Sequence, residues 1–180
     1  SCSADSYVYK IQELSNVLYQ KIKSLAEKTK TTEYMIFLST AMILLSVYSR
    51  QEDIVIGSPI SGRVHGDMNN MLGVFVNTLA MRGKPIKDKR YDVFLEEVKE
   101  TCIKAYENQG YPFEELVEEV NAERDMSRNP LYDVILVLHN NDSEEIKLSG
   151  CSRSEIVHLP TKVSKCDFTF NIYPERETYK

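Results

Sequence analysis

An α/β fold, with a mixed β-sheet and helices packed on it, is what this sequence predicts. Three observations predict it. Apolar residues recur at helical spacing over residues 14–25 and again over 95–105. Two short runs, 53–57 (DIVIG) and 133–139 (DVILVLH), have the β-branched, apolar make-up of buried strands. The order along the chain is a strand, two helices, two strands, two helices and then several strands, which sets helices against a sheet.

Residues 7–11 (YVYKI) read as a short strand. Leu14, Leu18, Ile22 and Leu25 then fall on one helical stripe, with Lys21, Lys23, Glu27 and Lys28 on other faces. Thr31-Thr32 is a helix N-cap, and Glu33 in the first turn suits the helix dipole. The helix that follows, about 32–48, is apolar almost all round and should be covered on most sides. Residues 53–57 form a strand ending in Gly57. Residues 58–71 are loop-like, with Pro59, Gly62 and Gly66, and 74–82 are extended until Gly83-Lys84-Pro85 breaks them. Leu95, Val98, Cys102 and Ala105 mark a helix over about 91–108. Pro112 suits the first turn of a short helix over 113–120. Strands at 133–139, 146–148, 154–158 and 167–173 complete the chain, and this run of strands favours antiparallel pairing.

Composition narrows the function. The 180 residues carry 22 Lys+Arg against 27 Asp+Glu, a net charge of −5, so no general positive field invites a phosphate backbone, and no nucleic-acid partner is expected. Apolar residues are 42% of the chain, enough to bury a core. The most apolar window, 35–48, is too short to span a bilayer and contains Ser39, Thr40 and Ser46, so no membrane association is expected. No basic-then-apolar leader is read at the start. Cys2, Cys102, Cys151 and Cys166 are scattered with no close pair. They fit a reducing cytoplasm better than a disulfide framework, and no metal site is expected.

Chemistry is sparse. His65, His139 and His158 are single and far apart, and each reads as structural or solvated before catalytic. Residues 57–63 (GSPISGR) lack the Lys and Gly spacing of a phosphate loop. Glu114-Glu115 and Glu118-Glu119 read as a solvated helix face. Three segments carry more polar chemistry than plain structure requires. In LGVFVNTLAMR (72–82), Gly73 beside Phe75 suggests close backbone approach, and Asn77 and Thr78 need partners in an apolar strand. NQGYPFE (108–114) joins a helix end to a Pro-started helix. RDMSRNPL (124–131) mixes both charges, a hydroxyl and an amide just before a strand. Each could also fix a chain reversal by side-chain hydrogen bonds.

In this order, the three segments resemble signature motifs of the condensation domains of nonribosomal peptide synthetases. The family patterns are approximately (I/V)GxFVNT(L/Q)xxR, (H/N)QDxPFE and RDxSRNPL. The third match is complete. The second departs at Gly110, where the family usually has Asp, and the first departs only at Leu72. The flanks 31–63 and 164–175 also resemble the family, with Cys166 replacing a Phe. The family's catalytic HHxxxDG is absent, and no His-His pair occurs.

The resemblance implies that residues 1–180 are the C-terminal half of such a domain, one lobe of a two-lobed chloramphenicol-acetyltransferase-like fold. This half would wall a tunnel in which carrier-bound aminoacyl or peptidyl thioesters are joined by amide bond formation. It would be inactive alone and hold no catalytic residue. Gly73, Phe75, Asn77 and Thr78 are the tunnel-wall candidates. Tyr111, Pro112, Phe113, Glu114, Arg124, Asp125, Ser127, Arg128, Asn129 and Pro130 are read as structural motif residues. Implied partners are the N-terminal half, peptidyl carrier proteins with their phosphopantetheine arms, and an adjacent adenylation domain; no cofactor is bound directly. The rival readings are a non-catalytic carrier-binding half-domain and part of a related acyltransferase or epimerization domain. For the carrier-binding reading, Arg50, Arg63, Arg124 and Arg128 could supply a basic patch.

Overall fold

The computed structural model describes residues 10–63, 66–120, 128–139 and 166–180. Ser15 caps the first helix, α1 (Asn16–Thr29), by accepting from the Leu18 amide, and Ile22 and Ala26 on its stripe are buried. The chain turns through left-handed Lys30 into Thr32, whose hydroxyl accepts from the Met35 amide at 3.3 Å and starts α2 (Glu33–Ser49). No single described helix is long and apolar enough to cross a membrane, and the α1–α2 pair is bent by 105°.

The first half of α2 is buried through Met35, Ile36, Leu38, Ala41 and Met42. Its second half is not. Val47 is 71% exposed and Tyr48 81%, so the expectation that α2 is covered on most sides holds only for its first turns among the described residues. The third helix, α3 (Tyr91–Glu107), buries Phe94, Leu95, Val98 and Cys102. Ser39 of α2 meets the Tyr91 hydroxyl of α3 at 3.1 Å, so its buried oxygen has a partner.

Both helices lie on one face of a four-stranded sheet, ordered β2-β1-β3-β4. Strand β1 (Ile54–Ile60) pairs antiparallel with β2 (Asn77–Gly83), in register Pro59↔Thr78 and Ile60↔Asn77. It pairs parallel with β3 (Val134–Leu138) at Gly57↔Ile135. Strand β3 pairs parallel with β4 (Phe168–Ile172). Ile54 and Ile56, Leu79 and Met81, Leu136, and Phe170 and Ile172 all belong to the core beneath the helices. Their period of two turns the intervening residues, Gly57, Thr78, Val137 and Asn171 among them, to the opposite face.

Three sequence expectations change. The loop expected from residue 58 begins later, because Ser58, Pro59 and Ile60 continue β1, and Pro59 lies within a pairing strand. Residues 66–70 form a 3-10 turn. The extended run expected at 74–82 pairs only from Asn77 onward. The antiparallel pairing expected of the last strands is overturned for β3 and β4, which run parallel. A parallel pair needs a crossover of about a dozen residues or more, and residues 140–165 supply that length. The strands expected at 146–148 and 154–158 lie outside the described residues, as does most of 7–11; Lys10 and Ile11 carry no regular structure.

The chain closes in a small antiparallel hairpin, β5 (Pro174–Glu175) with β6 (Thr178–Tyr179). Tyr179 is 1% exposed, edge-on to Phe37 and packed on Tyr19, and its hydroxyl donates to Glu33, which also pairs with Lys23. Burial, reinforced by the Glu33 carboxylate, holds this phenol well above its ordinary pKa.

Candidate functional site

The carboxyl ends of β1, β3 and β4 lie at one edge of the sheet, and β2 starts there. Ligands of open α/β sheets gather at such an edge. Asn77 stands at its corner. Its side-chain amide donates to the carbonyls of Gln109 at 2.9 Å and Tyr111 at 3.0 Å, and its oxygen accepts from the Thr78 amide at 2.9 Å. One side chain therefore ties the first motif segment to the second. Pro112 sits at the N-cap of the short helix α4 (Phe113–Glu119), which keeps α4 close to β2.

The third segment joins through Tyr132. Asn129 accepts from the amides of Leu131 at 3.0 Å and Tyr132 at 3.3 Å, which sets the turn at Asn129-Pro130 just before β3. The Tyr132 ring lies over Gly57, where an added Cβ would come within 2.6 Å of it, and 5.7 Å from the Phe113 ring. Burial raises the Tyr132 phenol, and its polar neighbours Thr78 and Asn129 partly offset this. Thr78, Phe113 and Asn129, one from each segment, thus surround a single tyrosine. Sequence reasoning missed Tyr132 and Gly57 because neither belongs to a motif; the signal was a Gly inside a strand, which marks close approach.

The segment before Asn77 is built by Gly62 and Arg63. Gly62 has φ +63, and a Cβ there would overlap the Phe75 carbonyl oxygen. The Arg63 guanidinium lies 4.5 Å from the Phe75 ring centroid and donates to the carbonyls of Met68 and Met71. Phe75 is half-buried, and the Gly73 α-carbon faces its ring. The alternate residues turn outward: Leu72 is fully exposed, Val74 93% and Val76 64%. This outward apolar row was also missed, although the alternation in LGVFVN carried it.

Tyr111 is 47% exposed, Glu114 is exposed, and so are Glu115, Glu118 and Glu119. Gly110 faces open space, so no crowding requires glycine where the family pattern has Asp. Arg128 approaches Asp167 at 3.8 Å, both largely exposed. Arg124, Asp125, Ser127, His65 and His158 lie outside the described residues. Of the suggested basic patch, Arg63 is committed to its own loop and Arg50 is the left-handed cap of α2. Among the described residues, no group of three or more His, Cys, Asp or Glu is placed to hold a metal ion.

The family model for the condensation domain matches residues 1–180. This chain belongs to the condensation domain family. Bacitracin synthase 1 of Bacillus licheniformis is 47% identical over 151 residues, 84% of this chain and 3% of that protein. Gramicidin S synthase 2 of Aneurinibacillus migulanus is 47% identical over 161 residues, 89% of this chain and 4% of that protein. The chain thus spans only a small fraction of the length of these curated relatives. Among solved structures, the X-domain from teicoplanin biosynthesis matches with a TM-score of 0.82 at 20% identity, over 91% of this chain and 37% of that chain. A four-domain nonribosomal peptide synthetase bound to AMP and glycine matches with a TM-score of 0.80 at 23% identity, over 94% of this chain and 14% of that chain. The condensation-domain fold, of the chloramphenicol-acetyltransferase-like class, is therefore this chain's fold, and Asn77 and Tyr132 tie its three motif segments together.

Proposed function

We propose that this chain is the C-terminal half of a condensation domain and walls the tunnel where two carrier-bound thioesters are joined by an amide bond. The observation that carries the reading is the convergence of the three motif segments through Asn77 and Tyr132. Gly73, Phe75, Asn77 and Thr78 shape this wall. Asn77 and Thr78 act by gripping neighbours, while Leu72, Val74 and Val76 present its apolar surface. The phosphopantetheine arms arrive as part of the substrates, borne by carrier proteins, with an adenylation domain adjacent. The N-terminal half supplies the His-His motif that this sequence lacks.

Aminolysis of a thioester by a tethered amine is accelerated largely by holding the partners together, so a wall can contribute without owning a base. The four dispersed thiols agree with a cytoplasmic setting. The test is reconstitution. This chain is joined to an N-terminal half carrying HHxxxDG and offered donor- and acceptor-loaded carriers. Amide product from the pair, and none from the chain alone, is expected. A folded pair that binds carriers but forms no amide would replace this reading with the carrier-binding one.

A further inference from the structure

We propose that His139 is a substrate-contacting residue whose imidazole accepts a hydrogen bond from the N–H of the incoming amine; the proposal rests on the function proposed above. The His139 amide donates to the Ile172 carbonyl at 2.8 Å, which carries the β3–β4 ladder one residue past the end of β3. By strand alternation its side chain is on the face away from α2 and α3, with Asn171 and Tyr173. Continuing the register from Gly57↔Ile135, His139 stands one residue beyond the level of Ile60 and Asn77. It therefore shares the sheet edge with the exposed row Leu72, Val74 and Val76.

Two contacts fix this imidazole. Its Nε2 lies 3.1 Å from the Asn171 side-chain oxygen, and its ring stacks on Tyr173 with centroids 4.1 Å apart and planes 9° apart. An amide oxygen only accepts, so this contact fits the tautomer in which Nε2 donates to Asn171 and Nδ1 is the ring's acceptor. Asn171 is exposed and Tyr173 is 44% exposed, so these contacts add little to stability. What they do is set the ring plane and tautomer, as a positioned recognition group requires. A lone pair on Nδ1 suits an N–H and repels a carbonyl oxygen. Of the two reacting groups, it selects the amine over the thioester carbonyl.

The experiment uses the complete condensation domain that carries this segment. His139→Phe keeps the stack on Tyr173 and removes both nitrogens, whereas His139→Gln returns an accepting oxygen. Amide formation is followed with acceptor-loaded carrier varied and then with donor-loaded carrier varied, alongside thermal melting. For His139→Phe we expect the acceptor KM to rise about fivefold to tenfold, the worth of one hydrogen bond, with donor KM and Tm unchanged. His139→Gln should recover part of the loss. Wild-type acceptor KM in His139→Phe overturns the proposal while leaving the function standing, and so does an equal loss on both substrates together with a lowered Tm. No amide product from the wild-type domain would remove the function reading and this proposal together.

Discussion

Asn77 shows how much one polar side chain can organise. Its amide serves two carbonyls that end α3 and precede α4, and its oxygen serves the next amide. Asn77→Ala leaves both carbonyls short of a donor, so we expect a loss of about 1–3 kcal/mol, measured by urea unfolding of the wild type and variant. An unchanged unfolding midpoint would mean water replaces the amide at no cost. Gly62 makes a sterner demand. Its φ of +63 alone disfavours a side chain by about 1–2 kcal/mol, and the Phe75 carbonyl leaves no room for a Cβ. Gly62→Ala should lower Tm by several degrees, whereas Gly110→Ala, facing open space, should not. That Asn77 needed partners was legible from its place in an apolar run. Which carbonyls it would meet, 32 and 34 residues away, was not.

At the scale of elements, α3 presents a clear case. Its predicted stripe of Leu95, Val98 and Cys102 is its buried face, because helical period alone dictates which side chains share a side. Cys102 is fully buried, and burial pushes its thiol up to about 12. The unfolded thiol ionises near 9, so the folded state holds its proton where the unfolded chain has lost it. Cys102 therefore favours the unfolded chain as pH rises from about 9 towards 12, by at most about 1.4 kcal/mol per pH unit, and contributes no pH dependence below that window. Cys102→Ala should flatten this part of the stability profile relative to wild type. Profiles that stay parallel would show that the thiol does not titrate differently in the two states. Strand direction was the harder reading. Composition marks 133–139 and 167–173 as strands, but apolar alternation looks the same in parallel and antiparallel pairs, and only the path of the intervening chain decides.

At the scale of the whole molecule, the uncovered apolar side chains among the described residues include the row Leu72, Val74 and Val76 and the end of α2 at Val47 and Tyr48. Contiguous apolar surface of this kind favours association. If the first row faces a partner half, the isolated chain should self-associate as its concentration rises. Leu72→Lys with Val74→Lys should shift sedimentation towards monomer with no change in Tm, since both residues are exposed. A clean monomer at all concentrations, in wild type and variant alike, would show that this row drives no association.

Local order and family membership were present in the amino-acid sequence itself. Helical stripes, the cap at Thr32, β-branched runs and three ordered motifs each depend on neighbours a few residues apart, and short-range sterics and hydrophobic period make such features readable. The tertiary structure alone decided that Asn77 and Tyr132 gather the three motifs, that β3 and β4 run parallel, and that His139 comes to rest on Tyr173 beside Asn171. Those are long-range pairings. Many partners would satisfy each polar group or strand edge equally well in isolation, and only the packing of the whole chain selects one.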